Sequence, residues 1–167
     1  MSVKFDTEDL LDSVLSLMTT NSALNTKILA IENEKIAKGK GLTPTLKAVA
    51  AGSYHQQTWS DKILNSTPAI FYGIEDAQAV DGGGMNVAKT YKVFIEVVYT
   101  DNGQTNDAHK RISRYSRALE ELFQESFSQA EGGQIKIESV RPISFKLELD
   151  SDEEIKVGGI SLTITLF

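Results

Sequence analysis

Apolar residues recur at Leu10, Leu11, Val14, Leu17, Met18, Leu24, Ile28 and Ile31, one helical face at about 3.6 residues per turn. Asp6 or Thr7 is placed to cap this helix, with Glu8 and Asp9 in its favourable first turn. Thr19, Thr20, Asn21 and Ser22 are weak helix formers. The pattern therefore predicts either one helix through Ala37 or two helices broken near Asn21, ended by Gly39 and Gly41.

Beyond residue 67 the period changes to two. Pro68 opens a strand over 69–80, with Ile70, Tyr72 and Ile74 on one face and Phe71 and Gly73 on the other. The turn Asp81-Gly82-Gly83-Gly84 leads to a second strand over 90–100. There Tyr91, Val93, Ile95, Val97 and Tyr99 form a core face, and Lys92, Phe94, Glu96 and Val98 a mixed one. A helix follows over 105–127, with a stripe of Ala108, Ile112, Tyr115, Leu119, Leu122 and Phe123. Two more strands are predicted over 134–149 and 155–167, joined by the acidic turn Asp150-Ser151-Asp152-Glu153-Glu154. Pro142 assigns the first of these to an edge or a bulge.

The order α-β-β-α-β-β, with short turns inside each strand pair, predicts a single α+β domain over 1–167. Its expected form is an antiparallel four-stranded sheet of two hairpins with two main helices on one face. The other sheet face, with Phe71, Phe94, Val98, Phe145 and Leu147, is expected to stay partly open to a neighbour. Residues 39–67 show no clean period and are read as a long extended arm. The arm holds Tyr54 and the only tryptophan, Trp59. Trp59 fits a partner-binding segment and equally a satellite core under its own loop.

Composition narrows function more than it assigns it. Hydrophobic residues make up 41% and charged residues 24%, a balance from which a domain of this length builds its own core. Cysteine is absent, which excludes disulfides and thiolate metal sites. Lys and Arg number 17 against 23 Asp and Glu, a net charge of −6. That argues against a grip on nucleic acid, which needs a basic face, but suits a wall past which DNA slides. The acidic N-terminus lacks the basic segment of a secretion signal. No run approaches the ~18 apolar residues of a membrane span.

Chemical motifs are few. The Gly82-Gly83-Gly84 turn joins strand to strand and lacks the Lys and Ser/Thr of a phosphate loop. The acidic turn at 150–154 lacks calcium-loop spacing. His55 and His109 have no accompanying ligand set or nucleophile. An enzyme would need a pocket around His109 and Arg111. The expectation is no enzyme, no cofactor and no metal. The third helix begins basic (Lys110, Arg111, Arg114, Arg117) and ends acidic (Glu120, Glu121, Glu125), against the helix dipole. It is read as a partner-facing start or as a solvated face with Arg117 and Glu121 paired.

The N-terminal helix, the strands PAIFYGIED and TYKVFIEVVYTD, the helix HKRISRYSRALEELF, and the strands SVRPISFKLEL and GGISLTITLF together resemble the tail-terminator (tail-completion) and head-to-tail joining proteins of tailed bacteriophages. The resemblance is of architecture and runs from about residue 6 to 167. It implies a structural virion protein: a homo-hexameric ring that caps the tail tube, contacts neck or connector proteins and any sheath, and lets double-stranded DNA through its lumen. It implies assembly in the host cytoplasm and a place at the head-proximal end of the tail. Under this reading Tyr54, Trp59, Phe94, Val98, Arg111 and Arg114 are interface candidates, and Asp150, Asp152, Glu153 and Glu154 face the lumen. The alternative is a small cytoplasmic ferredoxin-like domain that dimerises to bind a ligand or regulate.

Overall fold

The computed structural model describes residues 6–57, 67–80, 88–101, 107–126, 135–150 and 153–166; for 79–80, 88, 101, 135, 144–150 and 153–154 it describes the backbone alone. Helix α1 (Thr7–Thr19) starts with a capping box. The Asp6 carboxylate accepts from the Glu8 and Asp9 amides at 2.9 and 3.0 Å, and Asp9 accepts from the Asp6 amide at 2.9 Å. Helix α2 (Ala23–Ala37) follows across a sharp break, where Asn21 and Ser22 both take positive φ, 53° and 55°. The alternative of two helices therefore holds, and the weak formers are the hinge.

Helix α2 ends in a Schellman motif. The Gly39 amide donates to Ile36 O at 2.9 Å and the Lys40 amide to Lys35 O at 2.8 Å, with Gly39 at φ +68°. The chain then runs over the helices to a two-residue strand β1 (Tyr54–His55). The long strands are β2 (Ala69–Val80), β3 (Ala88–Asp101), β4 (Ile135–Asp150) and β5 (Glu153–Leu166), with helix α3 (Ala108–Ser126) between β3 and β4.

These strands form one five-stranded mixed sheet in the order β1-β2-β3-β5-β4. This corrects the predicted four-stranded antiparallel sheet. Both predicted hairpins form, but β1 adds a parallel strand, Tyr54 opposite Ile70 and His55 opposite Phe71. The predicted arm is thus partly a sheet element. The hairpins join through β3 and β5, not in chain order: α3 carries the chain to the far edge, β4, and β5 returns into the gap. The order is also not the β-α-β-β-α-β of a ferredoxin-like domain.

The physical reason lies in β5. Residues 155–160 are all buried, on both faces of the sheet, which suits an inner strand. Gly159 allows the close approach. Its φ is +146°, and a Cβ there would sit 2.0 Å from Ile95 O of β3. Strand β4 carries Pro142 between two register shifts, at Ile137/Ser139 and Ile143/Lys146; Pro142 thus lies in an edge strand, as its missing N–H requires.

The helical core lies on one face. Leu10, Val14 and Met18 of α1, Leu24, Ile28 and Ile31 of α2, and Ile112, Tyr115, Leu119 and Phe123 of α3 cluster against Ile70, Val93, Ile95, Val97, Ile160, Leu162 and Ile164. On the other face a second cluster of Ala69, Phe71, Val98, Ile155 and Val157 is fully enclosed. This corrects the open-face expectation at that end of the sheet. The His55 ring stacks on Phe71 at 4.9 Å. Phe145 and Leu147 have side chains outside the described residues.

Candidate functional site

Three polar clamps tie residues 40–49 to the helices. The Asn25 carboxamide donates to Val49 O at 3.0 Å and accepts from the Val49 amide at 2.8 Å. The Tyr115 hydroxyl donates to Lys47 O at 2.9 Å and accepts from the Lys47 amide at 3.0 Å. Arg114 donates to Glu32 Oε2 at 2.7 Å and to Lys40 O at 2.5 Å. With Leu42 and Val49 buried, this part of the predicted arm packs on its own chain.

Burial shapes these groups. It pushes the Tyr115 phenol well above its ordinary range, against a smaller opposing effect of its bond to Lys47. Burial likewise raises Tyr54. At the surface, hydrogen bonds from Arg117 and then Lys38 hold Glu34 down to about 2. Asp107 is lowered chiefly by its bond from Lys110, at 2.7 Å.

The predicted interface residues do not converge on one surface. Val98 is 0% exposed and Arg111 2%. Arg114 is also buried, in its ion pair with Glu32. Arg111 and Arg114 at the start of α3 are therefore internal, a correction to its reading as an outward face, while Lys110 stays exposed; sequence period alone does not show that Glu32 of α2 and Lys40 take up Arg114. Among the described residues, Arg111 Nε and Nη2 and Glu32 Oε1 make no hydrogen bond. Arg117 does pair with Glu121, at 2.7 Å, and also with Glu34 of α2 at 2.7 Å.

Tyr54 is half-buried against the main core. Phe94 is half-buried on the opposite face, where its ring covers Gly73; a Cβ at Gly73 would lie 2.9 Å from that ring. Trp59 and Asp152 lie outside the described residues. Asp150 pairs with Glu153 at the end of the β4–β5 ladder, and the side chains of Asp150, Glu153 and Glu154 are likewise not described.

Two features escaped sequence reasoning. One is the pair of sheet edges. The strands β2, β3, β5 and β4 are successively antiparallel, so the outer strands β2 and β4 run in opposite directions. Strand β1 covers only Ile70 and Phe71 of β2. The other is a cleft of about 600 Å³ between the end of α2, the 39–42 segment and the start of α3, lined by Lys35, Lys40, Lys110 and Arg114. Lys35 and Lys40 are near neighbours in the chain, but Lys110 and Arg114 lie on a distant helix, so no spacing signature joins the four. Among the described residues no group of three His, Asp or Glu side chains could hold a metal ion. Among the described residues no helix is long and apolar enough to cross a membrane.

The chain matches no protein-family model and no curated protein sequence.

Proposed function

We propose that this protein is a ring-forming structural subunit of the tail-completion type. Identical copies close a homo-hexamer that caps a tail tube, meets the neck or connector and any sheath, and passes double-stranded DNA. The observation that carries the reading is the relation between the two sheet edges. A closed ring needs heterologous contacts, one surface patch meeting a different one. The outer edges of β2 and β4 are such a pair. They belong to the same sheet and run in opposite directions. Copies arranged head to tail with strands along the ring axis then join β4 of one to β2 of the next in antiparallel pairing, continuing the sheet.

Length and charge support the same contact. Strand β2 has 12 residues and β4 has 16, against a typical length of about 5–6. The exposed Asp76 lies on β2, and the exposed Arg141 on β4 has no carboxylate partner among the described residues. The bulges and Pro142 bar indiscriminate pairing along β4. In such a ring the acidic 150–154 turn, at one end of the strands, would stand at the mouth of the lumen and repel DNA phosphates.

Light scattering with electron microscopy on the full chain tests the reading. Rings of about six subunits are expected, and the A77K/Q78K variant should dissociate them while remaining folded, because charged lysines block edge pairing. A stable dimer that ignores those substitutions would sink the ring and favour the two-fold alternative of a ligand-binding or regulatory domain.

A further inference from the structure

We propose that the cleft between α2, residues 39–42 and the start of α3 is a phosphate-binding site. Four cationic side chains converge on it: Lys35, Lys40, Lys110 and Arg114. Two of them are already committed, Lys110 to Asp107 and Arg114 to Glu32. Lys35 and Lys40 have no carboxylate within ion-pair reach among the described residues. Counting Asp107 and Glu32, the local balance is +2, in a chain whose net charge is −6.

The cleft is built, not incidental. The Lys40 amide is held by Lys35 O and the Lys40 carbonyl by the Arg114 guanidinium, at 2.8 and 2.5 Å. The backbone that carries the free lysine is therefore locked to both helices. Gly39 and Gly41 line the wall with no side chain, and nothing lies within 4 Å of where a Gly39 Cβ would be. The 19-residue helix α3 points its positive end at this region; its first turn holds no acidic residue, and Asp107, immediately before it, is paired with Lys110. Cations at that end of a helix are unfavourable on their own and become favourable with an anion present. Ser113 adds a hydroxyl donor to the wall.

Several directed donors with surplus positive charge suit a multiply charged oxyanion more than a lone carboxylate. The volume lies within the range of small-ligand sites. The same phosphate chemistry is offered by a free nucleotide or polyphosphate and by a nucleic-acid backbone, and the two are separable by experiment.

The full-length protein is titrated calorimetrically with pyrophosphate, and separately with a short DNA duplex, at constant ionic strength. Saturable binding is expected, weakened about tenfold or more in K35Q/K40Q and unchanged in the charge-matched control K27Q/K89Q. Circular dichroism checks that both variants fold. Duplex that competes with pyrophosphate identifies a backbone site; pyrophosphate binding without duplex binding identifies a free-phosphate site. Absence of saturable binding by either probe overturns the proposal, as does equal weakening in both variants, which would report net charge and not this cleft. The oligomeric state does not enter the result, so the ring and the cleft stand or fall separately.

Discussion

Asn25 on α2 reproduces a strand partner for Val49, exchanging one hydrogen bond with its amide and one with its carbonyl. Val49 is only 3% exposed, so these backbone groups have no easy access to water. A side chain thus satisfies a segment that has no ladder of its own. Replacing Asn25 with Ala leaves a buried donor and acceptor unmet, at a cost of about 1–3 kcal/mol. For a domain of this length that lowers Tm by roughly 2–4 °C per kcal/mol. Thermal unfolding measures the loss, and hydrogen exchange at the Val49 amide should accelerate more than at Ile95. Unchanged exchange at Val49 would refute the clamp.

Tyr115 performs the same service for Lys47, and its burial gives a pH signature. Its folded phenol titrates above the ordinary value of about 10 because burial disfavours the phenolate. The stabilisation is therefore complete below pH about 10 and declines as pH rises beyond it. Tyr72, raised by burial and by Asp12, acts in the same direction. Denaturant midpoints should fall above pH 10, and less steeply in Tyr115→Phe, which begins from a lower stability at neutral pH. A Tyr115→Phe curve parallel to wild type would contradict this assignment.

The pair of Glu32 and Arg114 is buried on both sides, with side chains 4% and 7% exposed. Removing one partner strands the other's charge. Glu32→Ala and Arg114→Ala should each cost about 3–5 kcal/mol, whereas an apolar pair such as Glu32→Leu with Arg114→Met should lose less than either single change. Denaturant titration of the three variants measures this. The double variant also loses the bond to Lys40 O, so it is not expected to exceed wild type.

At the acid end the relevant group is Glu34, held at about 2 by Arg117 and Lys38. A depressed carboxyl pKa means the stabilisation is present above the unfolded value, ordinarily 4.5, and is lost as pH falls toward 2. Glu34→Gln should flatten the stability profile between pH about 4.5 and 2 and leave it unchanged in shape above that window. Added salt should shrink the effect, since the pair is exposed to solvent. A profile of identical slope in the variant would show that these bonds do not persist in solution.

Much of this arrangement is legible in the sequence because it rests on local periodicity. The alternation of Tyr91, Val93, Ile95 and Val97 marks the core face of β3, the stripe from Ile112 to Phe123 marks α3, and Asp6 marks a cap. What periodicity does not carry is partner choice. Nothing local tells β3 to pair with β5 instead of β4. The available hint is compositional: 155–160 reads Ile-Lys-Val-Gly-Gly-Ile, apolar or small on both faces apart from Lys156, while β4 alternates with charges and holds Pro142. The two-residue β1 is too short to show a period at all. The inward turn of Arg114 is set by Glu32 of α2 and by Lys40, which lie more than 60 positions away in sequence.

Gly159 is where the β3–β5 pairing becomes testable by one methyl group. Its φ of +146° is a region L side chains rarely adopt, and an added Cβ would lie 2.0 Å from Ile95 O and 2.9 Å from the Glu96 Cα. Both obstacles are backbone of the central strand, so no side-chain rotation relieves them. Gly159→Ala must either push β5 away from β3 or abandon the native backbone angle, and both disrupt the strand between the two halves of the sheet. Gly73→Ala is a useful contrast, because its obstacle is the Phe94 ring, at 2.9 Å, which can swing aside. Destabilisation of more than about 4 kcal/mol, the range reserved for a named structural breach, is expected for Gly159→Ala, and a clearly smaller loss for Gly73→Ala. Soluble yield and thermal unfolding measure both. If Gly159→Ala unfolds within a few degrees of wild type while Gly73→Ala does not, β5 does not run against β3 in this register.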